Sequence, residues 1–449
     1  MKSRIAAVVL LGLGLVCASL ASAETNLPHA EAAAGVSAGD STTALLTNTP
    51  EQTVERFASV PVPEPSEKAV RFYRSGVAWW LASEAWSCFV PAVILFTGCS
   101  GWLGRQAKRL GRWDFAATFV FVLLYLLIAY ILSFPVSYFR DYVRLHDYGL
   151  SNQSFVRWLD HSLRKTVVNV MVFGAVFVVL RELIRRSPRR WWVYCSVFVG
   201  GVVFFMAFIY PVWINPLFNR FRPMQDKQLE ADIGALAHRA GIDGAHIYEV
   251  DKSADTKQMN AYVNGLGSTK RIVLWDTLLA KLDPDELRVV MAHEMGHYVL
   301  RHVLLRCLSR ALIYALSIWL IYRFGSHIIS RLSHRLGFAS LSDLGAVPLF
   351  LLFVAVGMFL TAPLFNAASR YTEHEADRFA LEMTHHNHAA ALSFVNVQQQ
   401  NLGVSRPAFL EHLWRGTHPS LGDRIDFANS YQPWTEGKPG KYEHLFKGN

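Results

Sequence analysis

Residues 283–302 read DPDELRVVMAHEMGHYVLRH, and the interpretation of the whole chain starts from this stretch. Asp283 is a good N-cap and Glu286 stands three residues after it, so the stretch is predicted to form a helix. Residues four apart lie on one face of a helix, about one turn apart. His293 and His297 are therefore expected to reach a single metal ion together.

Glu294 follows the first of these histidines and is placed to take a proton from an attacking water. The alternative is a chance meeting of two histidines and a glutamate, which is expected in only about a few per cent of chains of this length. A third protein ligand is still needed, because catalytic zinc usually takes three and leaves a fourth position for water.

The composition indicates a membrane protein. The chain has 449 residues, 52% hydrophobic and 18% charged, which is too apolar for an ordinary soluble protein of this length. The net charge of +9 could indicate a nucleic-acid partner, but basic residues gather at the ends of apolar segments, as in 105–112 and 185–190. That pattern is typical of orientation in a lipid bilayer, so no nucleic-acid partner is expected. The five cysteines have no disulfide or zinc-knuckle spacing.

The N-terminal part divides into two segments. Residues 1–23 have a positive start, an apolar middle and small residues before Glu24, a pattern that predicts a secretory signal peptide. The alternative is an uncleaved first membrane helix. Residues 24–75 are rich in Ala, Ser, Thr, Pro and Glu, which predicts an extended or partly ordered segment outside the membrane.

Six further apolar segments are long enough, or nearly so, to cross a bilayer as helices. They lie near residues 77–99, 115–137, 166–184, 191–213, 303–322 and 344–365. We therefore assign residues 76–213 and 303–365 to transmembrane helices. Glu84 lies inside the first segment, where an ionisable side chain either faces a cavity or lies near the end of its span.

Residues 214–302, between these two groups of spans, are soluble in composition. Residues 247–250 and 271–275 are predicted strands, and residues 260–264 are a candidate edge strand. The fold class is therefore mainly α, a polytopic membrane protein of six or seven transmembrane helices. A small α/β domain is inserted before the last two spans, and residues 366–449 are expected to complete it.

The third ligand is sought in residues 366–378, which read NAASRYTEHEADR directly after the last span. Glu373 is favoured, and His374 and Glu375 remain open as alternatives from the residues alone.

Several longer motifs match a known family as well. They are YPVWINPLFN at 210–219, NAY at 260–262, KRIVLWDTL at 270–278, the metal-binding helix, residues 369–377 and His418-Pro419. With them the chain resembles the integral-membrane CAAX prenyl protease type 1 family, zinc endopeptidases of the gluzincin kind, from about residue 70 to residue 430. The resemblance implies membrane helices around a water-filled chamber that the zinc domain closes at one end. It also implies a peptide or protein substrate, either lipid-modified or membrane-associated.

The resemblance further implies one zinc ion per chain, held by His293, His297 and Glu373. Glu294 would then be the catalytic base. Two histidines with a carboxylate suit zinc, although affinity order alone does not exclude other divalent ions.

Four more site residues follow. By resemblance, Asp377 would hold a ligand histidine by accepting its free ring N–H. His418 and Arg424 match a catalytic pair, in which His418 donates a hydrogen bond to the oxyanion; the alternative for His418 is an ordinary turn before a proline. The segment around Asn260 is expected to hold the substrate as an added strand.

The N-terminal leader and the basic residues between the spans predict the localisation. The leader looks bacterial, so we expect an inner-membrane protein, and nothing in the chain marks a cell that prenylates proteins. Lysine and arginine are dense in the loops at 101–114 and 181–190, which predicts an active site on the periplasmic side. The alternative is a cytoplasmic site, as in the eukaryotic members.

The predicted function is a membrane-embedded zinc metalloendopeptidase, for CAAX-like processing or for quality control of membrane proteins. The alternatives are a transporter or channel, and a chaperone-like protein, each with a structural zinc site. A structural site would be closed by a fourth protein ligand and would not need Glu294.

Overall fold

The computed structural model describes residues 58–265 and 270–448. The first group of helices is α1 (Glu67–Phe96), α2 (Cys99–Leu110), α3 (Asp114–Ser137), α4 (Phe155–Arg186) and α5 (Trp191–Ile209). A sheet domain follows with β1 (Phe221–Pro223), α6 (Lys227–Arg239), β2 (His246–Val250), β3 (Ala261–Asn264), β4 (Arg271–Trp275) and α7 (Pro284–Val299). The remaining helices are α8 (His302–Leu320), α9 (Ser326–Leu336), α10 (Val347–Thr384), α11 (Asn387–Gln400), α12 (Phe409–Arg415) and α13 (Leu421–Ser430).

Six helical segments of the described residues are long and apolar enough to cross a membrane. They are Glu67–Phe96, Asp114–Asp147, Phe155–Arg186, Trp191–Leu217, His302–Leu336 and Leu344–Thr384. The predicted fold class, a mainly helical membrane protein with a small sheet domain before the last two spans, is confirmed. The prediction for residues 1–23 lies outside the described residues.

Two predicted boundaries differ from the structure. Helix α1 begins at Glu67, not at residue 76, because a charged first turn with N-cap Ser66 precedes its apolar part. The helix of the last span does not end at residue 365, since α10 continues without a break to Thr384. A polar composition therefore marks where these helices leave the apolar region, not where they end.

The sheet has the order β1-β2-β4-β3, with β2 and β4 parallel and the outer strands antiparallel to them. The predicted strand at 271–275 is confirmed, and the candidate edge strand is confirmed as β3. Strand β1 gave no sequence signal, because it is three residues long and includes a proline. One edge of β3 pairs with β4, so its other edge is free of strands in the described sheet.

The metal-binding helix α7 begins with the predicted capping box. The Asp283 side chain accepts hydrogen bonds from the backbone N–H groups of Asp285 and Glu286, and the Glu286 side chain accepts one from the Asp283 N–H. The second Glu286 oxygen accepts a hydrogen bond from Asn396 of α11 at 2.6 Å. The cap therefore also fixes α7 to a neighbouring helix.

Gly296, between the two histidines of α7, allows a close approach to α10. A Cβ at this position would lie 3.1–3.2 Å from three carbon atoms of Phe379. Phe379 is fully buried and packs against Tyr442 and Phe446, so it has little room to move. The separation of the two helices is thus set by a residue without a side chain.

We expect Gly296→Ala to lower the apparent midpoint of thermal unfolding in detergent. The overpacking cost of about 1–3 kcal/mol exceeds the roughly 1 kcal/mol that alanine gains over glycine in a helix. The matched control is Gly234→Ala in α6, where a Cβ meets no atom within 4 Å and the midpoint should stay or rise. Equal midpoints for both variants would contradict this account.

Candidate metal centre

Three side chains from α7 and α10 converge at one point. His293 and His297 Nε2 lie 3.1 Å apart, and Glu373 places one oxygen 3.2 Å from the first and the other 3.3 Å from the second. The three residues are 8%, 7% and 2% exposed. The structure therefore brings together the three side chains that the sequence predicted as metal ligands.

The spacing of these atoms fits a metal ion. Zinc–nitrogen distances of about 2.0–2.1 Å in a tetrahedron place two ligand atoms roughly 3.3 Å apart, close to the values observed. The Glu373 Oε2 atom is also buried without a hydrogen bond from any described residue, although the imidazole nitrogens of His293 and His418 lie 3.2 Å away. A cation between the three side chains would satisfy this oxygen.

The two rival ligands point elsewhere. Glu375 accepts hydrogen bonds from Arg378, Lys441 and Tyr442. His374 lies 3.1 Å from an Arg378 nitrogen and packs against a phenylalanine ring. Both side chains leave α10 on a different face from Glu373.

Polar contacts hold His293 at Nδ1, the ring nitrogen that faces away from the other ligands. Its Nδ1 atom lies 2.8 Å from Asp377, which in turn accepts two hydrogen bonds from Arg424 at 2.8 and 2.6 Å. Burial by itself lowers the pKa of His293, but the nearby carboxylates of Asp377 and Glu373 outweigh it and raise the pKa above its usual value. Asp377 therefore lies beside the ligand His293, and Arg424 contacts Asp377 directly.

His297 has a different partner, which the sequence analysis missed. Its Nδ1 atom lies 2.8 Å from Nδ1 of the buried His302, and an Arg306 nitrogen lies 3.4 Å away. Burial lowers the pKa of His297 and outweighs the opposing effect of the Glu373 carboxylate. With a metal on Nε2, Nδ1 of His297 would carry the proton and donate a hydrogen bond to Nδ1 of His302. The signal in the sequence was the five-residue spacing between the two histidines.

Glu294 does not belong to the ligand group but lines the cavity beside it. Burial raises the pKa of its carboxyl to about 7, against the opposing charge of His293. Such a group can exchange protons near neutral pH.

His418 comes to the same place from the segment before α13. Its Nε2 atom lies 3.2 Å from Glu373 Oε2, and Thr417 lies 2.9 Å from its Nδ1 atom. Burial lowers the pKa of His418. The residue therefore stands at the rim of the ligand group with a ring nitrogen directed at it.

A cavity of about 860 Å³ connects the site with the membrane helices. The ligand group, Glu294 and His418 line it, and so do Asn260 and all of β3. Side chains of α5, α8 and α10 form the wall on the membrane side. The free edge of the sheet and the candidate metal site therefore share one cavity.

Two imidazoles and a carboxylate with a neighbouring free glutamate can hold a metal ion with an open position and move a proton beside it. A structural site would need a fourth protein ligand, and the described residues supply a group of three. Fold and site together define a membrane metallopeptidase. A transporter, channel or chaperone with a structural metal is not supported.

Comparisons with known proteins give the family. Residues 223–432 match Peptidase family M48, and residues 46–220 match the CAAX prenyl protease N-terminal region of five membrane helices. The metalloprotease YhfN of Bacillus subtilis is 34% identical over 367 residues, covering 81% of this chain and 86% of that protein. A CAAX prenyl protease 1 homolog of Dictyostelium discoideum is 32% identical over 309 residues, covering 66% and 69%. The chain belongs to peptidase family M48.

The fold comparison agrees. The crystal structure of Ste24p from S. mikatae matches with a TM-score of 0.69, covering 80% of this chain and 87% of that one at 22% identity. At this identity the match shows a shared fold. The predicted resemblance and the predicted class of enzyme are confirmed.

We expect His302→Ala to lower the affinity for Zn²⁺ by about 10- to 100-fold, the usual effect of removing a group that orients a ligand histidine. Competition with a chromogenic chelator measures this directly on the purified chain. The control is His327→Ala, an exposed histidine of α9, which should leave the affinity unchanged. An unchanged affinity in His302→Ala would show that the contact with His297 does not hold the ligand.

Proposed function

We propose that this chain is a zinc endopeptidase that cuts membrane-associated or exported proteins inside the cavity between its membrane helices and its sheet domain. The observation that carries the proposal is the convergence of His293, His297 and Glu373 beside Glu294 on the cavity wall. Membership of family M48 supports peptide hydrolysis as the reaction.

We assign one zinc ion to the three ligands, because two imidazoles and a carboxylate are a donor set that suits zinc. When bound, zinc supplies Lewis-acid polarisation and lowers the pKa of a coordinated water towards about 7. The neutral imidazoles and the ionised Glu373 provide the electron pairs that hold it.

Two residues of the chain then act on the substrate. Glu294 accepts a proton from the attacking water and later gives it to the leaving amine, as a general base and then a general acid. His418 donates a hydrogen bond from Nε2 to the oxygen of the scissile carbonyl as it becomes negative. A single donor of this kind is worth about 3–4 kcal/mol of transition-state stabilisation in comparable sites.

Asp377 and Arg424 act through a ligand. Asp377 accepts the Nδ1 proton of His293 and so keeps Nε2 available to the metal. The two hydrogen bonds from Arg424 hold the Asp377 carboxylate in place and balance its charge. We therefore assign Arg424 a positioning role, in place of the direct catalytic role expected from the sequence.

The substrate is proposed to bind as an extended strand along the free edge of β3. Unpaired backbone groups on an edge strand can pair with a peptide of any sequence. Asn260 stands at the start of this edge, and its carbonyl oxygen already accepts a hydrogen bond from the Trp275 N–H. Its side chain lines the cavity and is free to contact the peptide.

The physiological substrate is proposed to be a membrane-associated protein. The relatives named CAAX prenyl protease 1 suggest lipid-modified substrates, and a cavity with a membrane-facing wall accommodates them. A bacterial setting favours instead the quality control of membrane or exported proteins. Both assignments use the same site and the same reaction.

Glu294→Gln is expected to keep zinc bound and to reduce kcat/KM for peptide cleavage by about 10²- to 10⁴-fold, since the general base is lost. His293→Ala should lose both zinc and cleavage. Metal content by mass spectrometry and hydrolysis of a fluorogenic peptide measure the two effects. Glu64→Gln is the matched control, because Glu64 is exposed and does not line the cavity. Wild-type cleavage by Glu294→Gln would refute the assignment of the base.

We further propose that the chain lies in a bacterial inner membrane with the sheet domain in the periplasm. Basic residues gather at one end of the helix bundle, where Lys108 lies 3.7 Å from Asp343 and Arg335 donates to the Phe96 carbonyl. Helix α10 begins beside this end and carries Glu373 26 residues further on, about 39 Å at 1.5 Å per residue. That length exceeds the roughly 30 Å hydrocarbon core, so the positive-inside bias favours a metal site outside the cytoplasm.

A tag added after Asn449 should be removed by external protease in spheroplasts of a bacterium that expresses the chain. A tag inserted in the basic loop at 187–190 is the internal control and should be protected until the cells are lysed. The reverse pattern would assign the sheet domain to the cytoplasm.

A further inference from the structure

Helix α8 carries two arginines that the proposed reaction does not use. Arg306 and Arg310 lie within a membrane-spanning segment, and both line the cavity. Neither has a carboxylate within 4.0 Å among residues 58–265 and 270–448, and the Arg306 Nε atom is buried without a hydrogen bond. Charged side chains in a membrane helix are costly and mark functional sites unless they are paired.

Other cations of the same cavity are held by groups of the chain. Arg415 lies 2.9 Å from Glu411, and Arg424 lies 2.6 Å from Asp377. Arg144 donates hydrogen bonds to Ser75 and to the Phe72 carbonyl, and Lys252 packs against the Trp275 ring. The two arginines of α8 differ from Arg415 and Arg424 in lacking an acidic partner. Arginines that serve only to orient a span usually reach out to lipid headgroups, whereas these two are half-buried against the cavity.

Their position relates them to the metal site. His302, Arg306 and Arg310 are four residues apart and so lie along one face of α8. His302 contacts the ligand His297, an Arg306 nitrogen lies 3.4 Å from the same imidazole, and Arg310 follows one turn later, about 6 Å further on. An extended peptide advances about 3.3 Å per residue, so its second or third residue beyond the scissile bond can reach this pair.

We infer that Arg306 and Arg310 form a carboxylate-binding site that anchors the substrate two or three residues beyond the scissile bond. Guanidinium groups bind carboxylates through paired, charge-assisted hydrogen bonds, and low local polarity strengthens them. Ala207, Met358 and Ala362 line the membrane-side wall of the same cavity, so an apolar residue next to the carboxylate would contact apolar side chains. This inference rests on the proposed peptidase function and adds its selectivity.

The carboxylate can come from the C-terminus of the substrate or from an acidic side chain. The test uses the zinc-loaded full chain carrying Glu294→Gln, in non-ionic detergent, and three fluorescent peptides of one sequence. The first ends in a free acid, the second in an amide, and the third in an amide with aspartate as its last residue. Fluorescence anisotropy measures the Kd of each.

The free acid or the aspartate peptide should bind about tenfold or more tightly than the plain amide, as expected for charge-assisted hydrogen bonds. Whichever of them is preferred identifies the source of the carboxylate. Adding Arg306→Gln or Arg310→Gln should bring the Kd of the carboxylate peptide close to that of the plain amide. Arg310→Lys should retain part of the preference for the carboxylate. Arg301→Gln is the matched control, because Arg301 is exposed and does not line the cavity.

Equal binding of all three peptides overturns the inference, and so does a preference that persists when both arginines are replaced. Equal binding together with competition by phosphatidylglycerol would assign the pair to a lipid headgroup instead. A parallel cleavage assay of the chain with Glu294 intact separates the two proposals. Cleavage without a preference for the carboxylate peptides would support the peptidase function and contradict the carboxylate-binding site. A preference without cleavage would support the binding site and contradict the peptidase function.

Discussion

The close contact between α7 and α10 is the constraint on which the rest of the site depends. Gly296 lies between the two ligand histidines, and its missing side chain lets α10 approach near enough for Glu373 to reach both imidazoles. Helix α10 is also a membrane span, 38 residues long without a break. The third ligand is therefore held on the same rigid element that crosses the bilayer, and the metal centre belongs to the sheet domain and the helix bundle at once.

Three neighbouring carboxylates around this contact are each stabilised in a different way. Three carboxylates, Glu294, Glu373 and Asp377, lie in one small volume, and buried carboxylates are costly unless paired. Arg424 pairs with Asp377, so that charge is balanced within the chain. The raised pKa of Glu294 favours its neutral form, which lowers the free-energy cost of burying this carboxyl. Glu373 keeps a buried oxygen without a hydrogen bond, which is the position that a bound cation stabilises.

Local signals explain what the sequence predicted well. The cap at Asp283, the histidine spacing and the β-rich run at 271–275 each depend on a few neighbouring residues, and the structure confirms all of them. The choice of Glu373 over Glu375 needed more, because only packing against α7 decides which face of α10 is turned to the histidines. The start of α1 and the continuity of α10 were missed for another reason, because the polar ends of these helices lie outside their apolar segments. The contact of His302 with His297 had a local signal, the five-residue spacing, but only the turn at Arg301 brings the two rings together.

The turn that ends α7 links the chemistry of the metal site to the choice of substrate. Arg301 adopts a left-handed conformation, with φ 57°, which is uncommon for a residue other than glycine. This turn ends one helix and starts the next, and it brings the first residue of α8 against the ligand His297. Because successive residues at a spacing of four share one helix face, the face that begins with His302 continues with the arginines of the cavity wall. Strand β3 lines the same cavity. A peptide in that cavity would thus contact the backbone groups of β3, which can pair with any sequence. It would also contact the arginines of α8, which bind only certain groups. We therefore expect substrate selectivity to reside in α8.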